Sequence, residues 1–362
     1  MTVRDLLGGR VILHAGDCLD VMARLPECSI DACVTDGPYF LPEIAARMGK
    51  AGSAAIQHGT DGAYARKAAG FMNKPAIVSD ICNRVETWQA VFRVLKPGAF
   101  LLAFNATKAY HRMTCAVEDA GFEVRDCISW LYGTGQPHGK PLDKFIDRKV
   151  LGDWCDDDEL ARGPVSHAAA FYAERDIALK PAQELILMAR KPLEGTIGDN
   201  LLLNGCGSLD VTGCQVEHAT GTSWPANVMH DGSPEVVARF PVDASGHSAA
   251  RFFWQPKADD HDRAGSDHPT VKPVSLMQEL VRLVTVTGQT ILDPFAGTGT
   301  TGEAAWREGR NAVLIEIDEQ FQNDIVRRMS LALSGPEERR RESIKAKVGD
   351  VPFEAGSLFA GI

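Results

Sequence analysis

Thr290-Ile291-Leu292-Asp293-Pro294-Phe295-Ala296-Gly297-Thr298-Gly299-Thr300-Thr301-Gly302 carries a short apolar run into a glycine-rich turn. TILD (290–293) has the character of a strand, and the residues from 300 to 308 have that of a helix. A strand that turns tightly into a helix brings bare backbone N–H groups up to a ligand. AVLIEI (312–317) is the next strand, and Glu316 near its end lies 19 residues after Gly297. An acidic side chain there can accept hydrogen bonds from both hydroxyls of a ribose. Gly297, Gly299 and Gly302 satisfy G-x-G-x-x-G, a spacing that also arises wherever a strand–helix turn has to be tight.

Regular alternation extends on both sides of this stretch. Upstream, Pro273 stands where a helix N1 proline belongs, and Leu276, Leu280 and Leu283 form the apolar stripe of that helix. Downstream, 319–332 reads as a closing helix. The tail from 334 carries Arg339, Arg340 and Arg341 and reads as a solvated, frayed end. At the other end of the chain, VILHA (11–15) and IDACVT (30–35) are strands on either side of a helix that Asp17 can cap and Pro26 stops. Strands joined in this way imply a parallel sheet with right-handed crossovers.

IDACVT ends at Asp36-Gly37-Pro38-Tyr39. An acid at the carboxyl end of a parallel strand, followed by a rigid turn and an aromatic ring, lies where open α/β sheets bind ligands. Asp36 can accept a hydrogen bond from an amino group, and Tyr39 can stack on a planar base. Residues 40–78 are rich in Gly, Ala and Lys without a sustained period, as suits a lid or substrate-contacting loop beside Asp36. A helix over 80–95 ending at Pro97-Gly98, a buried strand AFLLAF (99–104), a helix over 107–120 and a strand over 122–132 follow. The stretch 133–260 is irregular, with short strand-like pieces such as ELILMAR (184–190), and reads as a substrate-specific insertion.

The chain has 362 residues, 44% hydrophobic and 24% charged, a mix that excludes a disordered protein. At about 150 residues per domain that allows two domains, or one large α/β core with insertions. No apolar run approaches the ~20 residues of a membrane span, and MTVRDLLGGR lacks a signal-peptide core, so a cytoplasmic location without membrane attachment is expected. Nine cysteines without a C-x-x-C pair make neither a disulfide scaffold nor a zinc site, and no metal is expected. The net charge of −10 argues against bulk electrostatic attraction to nucleic acid and requires any basic surface to be local. Lys140, Lys144, Arg148 and Lys149, and Arg251 with Lys257, are the candidates for it.

Thr35-Asp36-Gly37-Pro38-Tyr39 resembles the Asp-Pro-Pro-Tyr motif of amino-group DNA methyltransferases. Asp293 to Gly299 is similar to their S-adenosylmethionine motif, Phe-x-Gly-x-Gly, and His268-Pro269-Thr270-Val271-Lys272-Pro273 to the segment before it. Ser129-Trp130-Leu131-Tyr132-Gly133-Thr134-Gly135 with Ala189-Arg190-Lys191-Pro192 is similar to phage- and prophage-type members. The catalytic motif comes first and the cofactor motif last, which is the permuted order of the β group, whose members make N6-methyladenine or N4-methylcytosine.

The resemblance implies a circularly permuted Rossmann-like methyltransferase fold. Its catalytic half would be 1–135, its target-recognition insertion 136–264 and its cofactor half 265–333, with a charged tail over 334–362. The first two strands would be the third and fourth of the methyltransferase sheet. Asp36, Gly37, Pro38 and Tyr39 would be catalytic. Asp17, Thr270, Lys272, Asp293, Phe295, Gly297, Gly299 and Glu316 would bind S-adenosylmethionine, with Lys272 near the cofactor carboxylate and both glycines facing its methionine end. Double-stranded DNA would be the partner, touched through Trp130, Tyr132, Lys140 and Arg251, although for both aromatics a core position is the plainer reading. Adenine is favoured over cytosine, because cytosine-specific members often carry serine where Asp36 stands. Gly37 departs from the family proline; a looser turn there predicts reduced activity, or a relative that binds without methylating. A homodimer and a restriction partner are both left open. A dinucleotide-dependent dehydrogenase fails, because only 60 residues follow Gly302 and cannot complete its sheet.

Overall fold

In the computed structural model, which describes residues 2–39, 80–133, 142–152, 162–218, 221–240, 258–268, 270–335 and 337–341, the apolar runs become strands of a single large sheet. The chain begins with β1 (Val3–Leu6), β2 (Val11–Ala15), α1 (Cys18–Met22) and β3 (Ile30–Thr35). After a 3-10 turn (Ile81–Asn83) come α2 (Val85–Val94), β4 (Leu95–Asn105), α3 (Tyr110–Asp119) and β5 (Glu123–Leu131). The middle holds α4 (Leu142–Leu151), α5 (His167–Tyr172), β6 (Gln183–Arg190) and α6 (Ile197–Asn204). A small hairpin of β7 (Val216–His218) and β8 (Gly221–Ser223) precedes β9 (Val228–His230), α7 (Pro234–Val237) and α8 (Asp260–Arg263). The last part is α9 (Val274–Val284), β10 (Thr290–Asp293), α10 (Thr300–Arg307), β11 (Asn311–Glu316) and α11 (Glu319–Ala332).

The sheet runs β1-β2-β11-β10-β3-β4-β6-β5-β9. β2 and β3, consecutive in the chain, do not touch; β11 and β10 lie between them, paired in parallel with each other and with both. The two ends of the sequence therefore complete one another's sheet. The side-chain alternation of a strand then sorts the core into two layers. Ala32, Val34, Phe100, Leu102 and Ile291 pack under α9, α10 and α11 on one face. Cys33, Leu101, Ala103, Leu292 and Val313 pack under α1, α2 and α3 on the other.

Four expectations change. The 80–95 helix does not stop at Pro97-Gly98; it passes straight into β4 at Leu95, and the proline and glycine sit where the β3–β4 register shifts. Gly98, with φ 79°, donates its N–H to the carbonyls of Lys191 and Pro192. Pro273 is the N-cap of α9, not its first helical residue, while Leu276, Leu280 and Leu283 are buried as the stripe predicts. The span 136–264 does not stand apart from the core, because ELILMAR is β6, hydrogen-bonded between β4 and β5, and β9 extends the same sheet. The tail is not all solvated: residues 337–341 are helical, and Arg339 is buried against Glu303. Residues 40–79, which contain the whole of the expected lid, lie outside the described residues.

Candidate active site at the carboxyl edge of the sheet

β10 and β3 are neighbours, but the chain leaves β10 toward β11 on one side and leaves β3 toward β4 on the other. Such a reversal opens a crevice at the carboxyl ends of the strands. Here it is a cavity of about 410 Å³, lined on one side by Asp36, Gly37, Pro38 and Tyr39 and on the other by residues 293–298 and Glu316.

Asp293 ties the two sides together. Its carboxylate accepts from Thr35 Oγ1 at 2.6 Å, from Thr301 Oγ1 at 2.5 Å and from the Phe295 N–H at 3.1 Å. Burial pushes its carboxyl up to about 6, against the lowering by these hydrogen bonds. Although Asp293 reaches the cavity wall, its polar capacity is spent on joining β3, β10 and α10.

The glycine-rich turn divides its labour. Gly297 lines the cavity with φ 52°, and its N–H donates to Glu316 Oε2 at 2.8 Å. The other carboxylate oxygen of Glu316 accepts from the Asp318 N–H at 2.8 Å. Burial raises the Glu316 carboxyl to about 7, more than these backbone donors lower it. Gly299 points elsewhere: it caps α10 with φ 79°, and a Cβ there would meet Ile325 at 3.0 Å and Met329 at 3.2 Å. Gly302 lets α10 approach β11, since its Cβ would lie 2.6 Å from Leu314. Gly299 is not among the described residues lining the cavity, and its conformation serves helix packing. Asp17, Thr270 and Phe295 line the cavity, the carboxylate of Asp17 also capping α1 through the Leu19 N–H at 2.8 Å.

On the β3 side, Asp36 Oδ1 accepts from the Tyr39 hydroxyl at 2.8 Å, and Oδ2 accepts from Lys272 Nζ at 2.5 Å. Lys272 is 6% exposed and also pairs with Glu184 Oε2 at 3.1 Å. It therefore meets two protein carboxylates where it borders the cavity. Burial opposes its charge, but Asp36 and Glu184 outweigh that and raise its affinity for the proton. Asp36 is shifted upward as well, by burial first and by Glu184 next, with Lys272 acting in the opposite sense. Glu184 was not singled out by the sequence reading. It is the second residue of β6, which runs antiparallel to β4, so it lies at the edge where the parallel strands end. A glutamate leading an otherwise apolar strand was the available signal.

Gly37 is close-fitted. A Cβ at this position would overlap Cys82 Sγ and lie 2.9 Å from the Phe295 ring. Trp130 and Tyr132 are 3% and 6% exposed, stacked edge to face in the core, and neither is among the described residues lining the cavity. Both belong to the core cluster under α9 and α10. Lys140, Arg251 and Lys257 lie outside the described residues, while Lys144, Arg148 and Lys149 share α4.

A family model described as DNA methylase, of the N6/N4 type, matches residues 30–327. The chain belongs to the N6/N4 DNA methylase family. This methylase is 27% identical over 250 residues to the type II methyltransferase M.HindIII of Haemophilus influenzae, covering 68% of each chain. It is 34% identical over 85 residues to the DNA adenine methyltransferase YhdJ of Escherichia coli, covering 24% of this chain and 29% of the other. Its fold matches that of the PvuII DNA methyltransferase (cytosine-N4-specific) with a TM-score of 0.50, at 13% identity and 94% coverage of each chain. Methylases of this family use S-adenosylmethionine as the methyl donor, and DNA is their substrate. No helix among the described residues is long and apolar enough to cross a membrane.

Proposed function

We propose that this methylase transfers the methyl group of S-adenosylmethionine to the exocyclic N6 amine of an adenine flipped out of double-stranded DNA. The observation that carries the reading is the position of Asp36, a carboxylate on the wall of the same cavity as Gly297 and Glu316. The donor set suits the cofactor: Glu316 offers a carboxylate to a ribose, Gly297 has no side chain to obstruct a ligand, and Phe295 offers an apolar wall. When bound, the cofactor supplies an electrophilic methyl on a positively charged sulfur that leaves with the carbon–sulfur electron pair.

The chain's own residues act on the amine. An aromatic amine delocalises its lone pair into the ring and is a poor nucleophile. Asp36 and the Gly37 carbonyl accept its two hydrogens, which holds the lone pair toward the methyl; positioning of this kind supplies a large share of a rate enhancement. The methylated nitrogen then gives up one proton, and Asp36 is the adjacent base. Tyr39 stacks on the extruded base, whose flipping costs a few kcal/mol. No protein nucleophile is needed, and the buried Cys33 and Cys82, whose thiols burial raises well above their ordinary range, fit that role-free position.

Adenine is preferred because Asp36 stands where cytosine-specific members often carry serine, and the likeness to YhdJ, named as an adenine enzyme, agrees. Target recognition is assigned to segments of 136–264 outside β6 and β9, with α4 supplying basic side chains. The test is to incubate the protein with S-adenosylmethionine and unmethylated genomic DNA, digest to nucleosides and analyse by mass spectrometry. N6-methyladenine is the expected product. N4-methylcytosine would overturn the base assignment, and no methylated base despite cofactor binding would return the chain to a binding relative.

A further inference from the structure

Two donors and two carboxylates are knotted together beside the cavity, and their arithmetic does not balance. Asp36 and Glu184 bring two negative charges and Lys272 one positive charge. Tyr39 has one hydroxyl proton but two carboxylate acceptors within reach, Asp36 Oδ1 at 2.8 Å and Glu184 Oε2 at 3.0 Å. Lys272 likewise reaches Asp36 Oδ2 at 2.5 Å and Glu184 Oε2 at 3.1 Å. Both donors that occupy Asp36 thus have the same second acceptor already in place. As it stands, each oxygen of Asp36 holds a donor, so its charge is already partly engaged by the protein's own groups when an amine arrives.

We propose that Glu184 is a positioning residue of this methylase, the acceptor that takes over Lys272 and the Tyr39 hydroxyl when the target amine binds, leaving Asp36 free to accept from the base. The inference rests on the reading of Asp36 given above. The exchange is between acceptors a few tenths of an ångström apart in donor distance, so it needs no movement of backbone. It also keeps the donors hydrogen-bonded throughout, which matters because an unpaired buried donor costs about 1–3 kcal/mol. After the exchange the ammonium is held by Glu184, and the charge of Asp36 faces the amine. Glu184 has its place because β6 is antiparallel: no parallel strand of the sheet could present its first residues at this edge.

Among the described residues, the titratable groups that face the pair come from five elements or their flanks. Tyr39 follows β3, Lys272 precedes α9, Tyr132 closes the β5 side, Asp293 ends β10, and Cys82 lies in the 3-10 turn. Removing the charge of Glu184 leaves Asp36 with Lys272 and without a like-charged neighbour, so Asp36 holds its proton less tightly. Glu184→Gln should therefore be slower yet more tolerant of acid, a combination that loss of packing would not produce.

The experiment measures single-turnover methyl transfer from tritiated S-adenosylmethionine to genomic DNA amplified in vitro, between pH 5 and 9, with cofactor affinity measured separately by calorimetry. For Glu184→Gln the plateau rate should fall roughly 100-fold, as for a misplaced reacting group, with cofactor affinity unchanged within about 3-fold. Its acid limb should move down by about one pH unit. A carbon-13 titration of the Asp36 carboxyl in the free enzyme, assigned with Asp36→Asn, should show the same downward shift. Glu184→Asp, which keeps the charge, should recover part of the rate and all of the profile. A wild-type rate in Glu184→Gln would overturn the proposal, as would equal slowing of both variants with the acid limb unmoved. Asp36→Ala serves as the separate control. If it transfers methyl normally, the reading of Asp36 itself fails, whatever Glu184 does.

Discussion

At the scale of single residues, Gly37 changes meaning between sequence and structure. From sequence, a glycine in place of the family proline implies a loose turn. In the fold, the space a side chain would take is filled by Cys82 Sγ and the Phe295 ring, so the turn is held from outside by packing. Gly37 carries no positive φ, and its requirement is therefore steric, not conformational. Gly37→Ala should lower stability by about 1–3 kcal/mol, the usual cost of an extra carbon in a filled site. Cys82→Ala in the same chain should recover part of that loss. Thermal unfolding of the two variants checks this, and an unchanged midpoint in Gly37→Ala would refute it.

Among the elements, α10 carries the heaviest electrostatic load. Glu303 is fully buried and holds Arg307 at 2.8 Å, Arg328 at 2.9 Å and Arg339 at 2.5 Å, so it clasps α11 and the 337–341 segment to the cofactor-side helix. Burial disfavours its charge, but hydrogen bonds from Arg339 and the charge of Arg328 hold its carboxyl down to about 2, against an ordinary 4.5. A carboxyl that ionises more readily when folded stabilises the fold above pH 4.5. That contribution is lost as the pH falls from 4.5 through about 2. Glu303→Gln strands two buried guanidinium groups and should cost about 3–5 kcal/mol at pH 7. In urea denaturation the gap between variant and wild type should close on acidification, and a gap that stays constant down to pH 2 would contradict the assignment. None of this was legible in the basic tail, where Arg339 looks like its solvated neighbours. Long-range pairing has no signature in local composition. The elements that were legible, β2, β3, β10 and α11, are those whose apolar period or capping residue is complete within the segment. β6 was recognised as a strand but placed in an insertion, since its partners β4 and β5 lie far from it in sequence. Glu184 was missed for the same reason.

For the molecule as a whole, function depends on a sheet that neither half of the chain can complete. β3 gives Asp36 its position and β10 gives Gly297 its turn, and the Thr35–Asp293 hydrogen bond joins them across 258 positions of sequence. The order of the motifs was enough to foresee this permuted arrangement; the pairing of β2 with β11 and β3 with β10 realises it. The acidic net charge of −10 leaves DNA attraction to local basic surfaces, for which α4 is the candidate proposed above. The central claim is that the acceptor from one half and the cofactor turn from the other serve a single transfer. The most direct test compares wild type with Asp36→Ala in cofactor binding and in methyl transfer to unmethylated DNA, on the same preparations. The account predicts equal cofactor affinity within about 3-fold and a loss of transfer of at least roughly 100-fold in the variant. Transfer by Asp36→Ala at the wild-type rate, with the cofactor bound equally well, would contradict it.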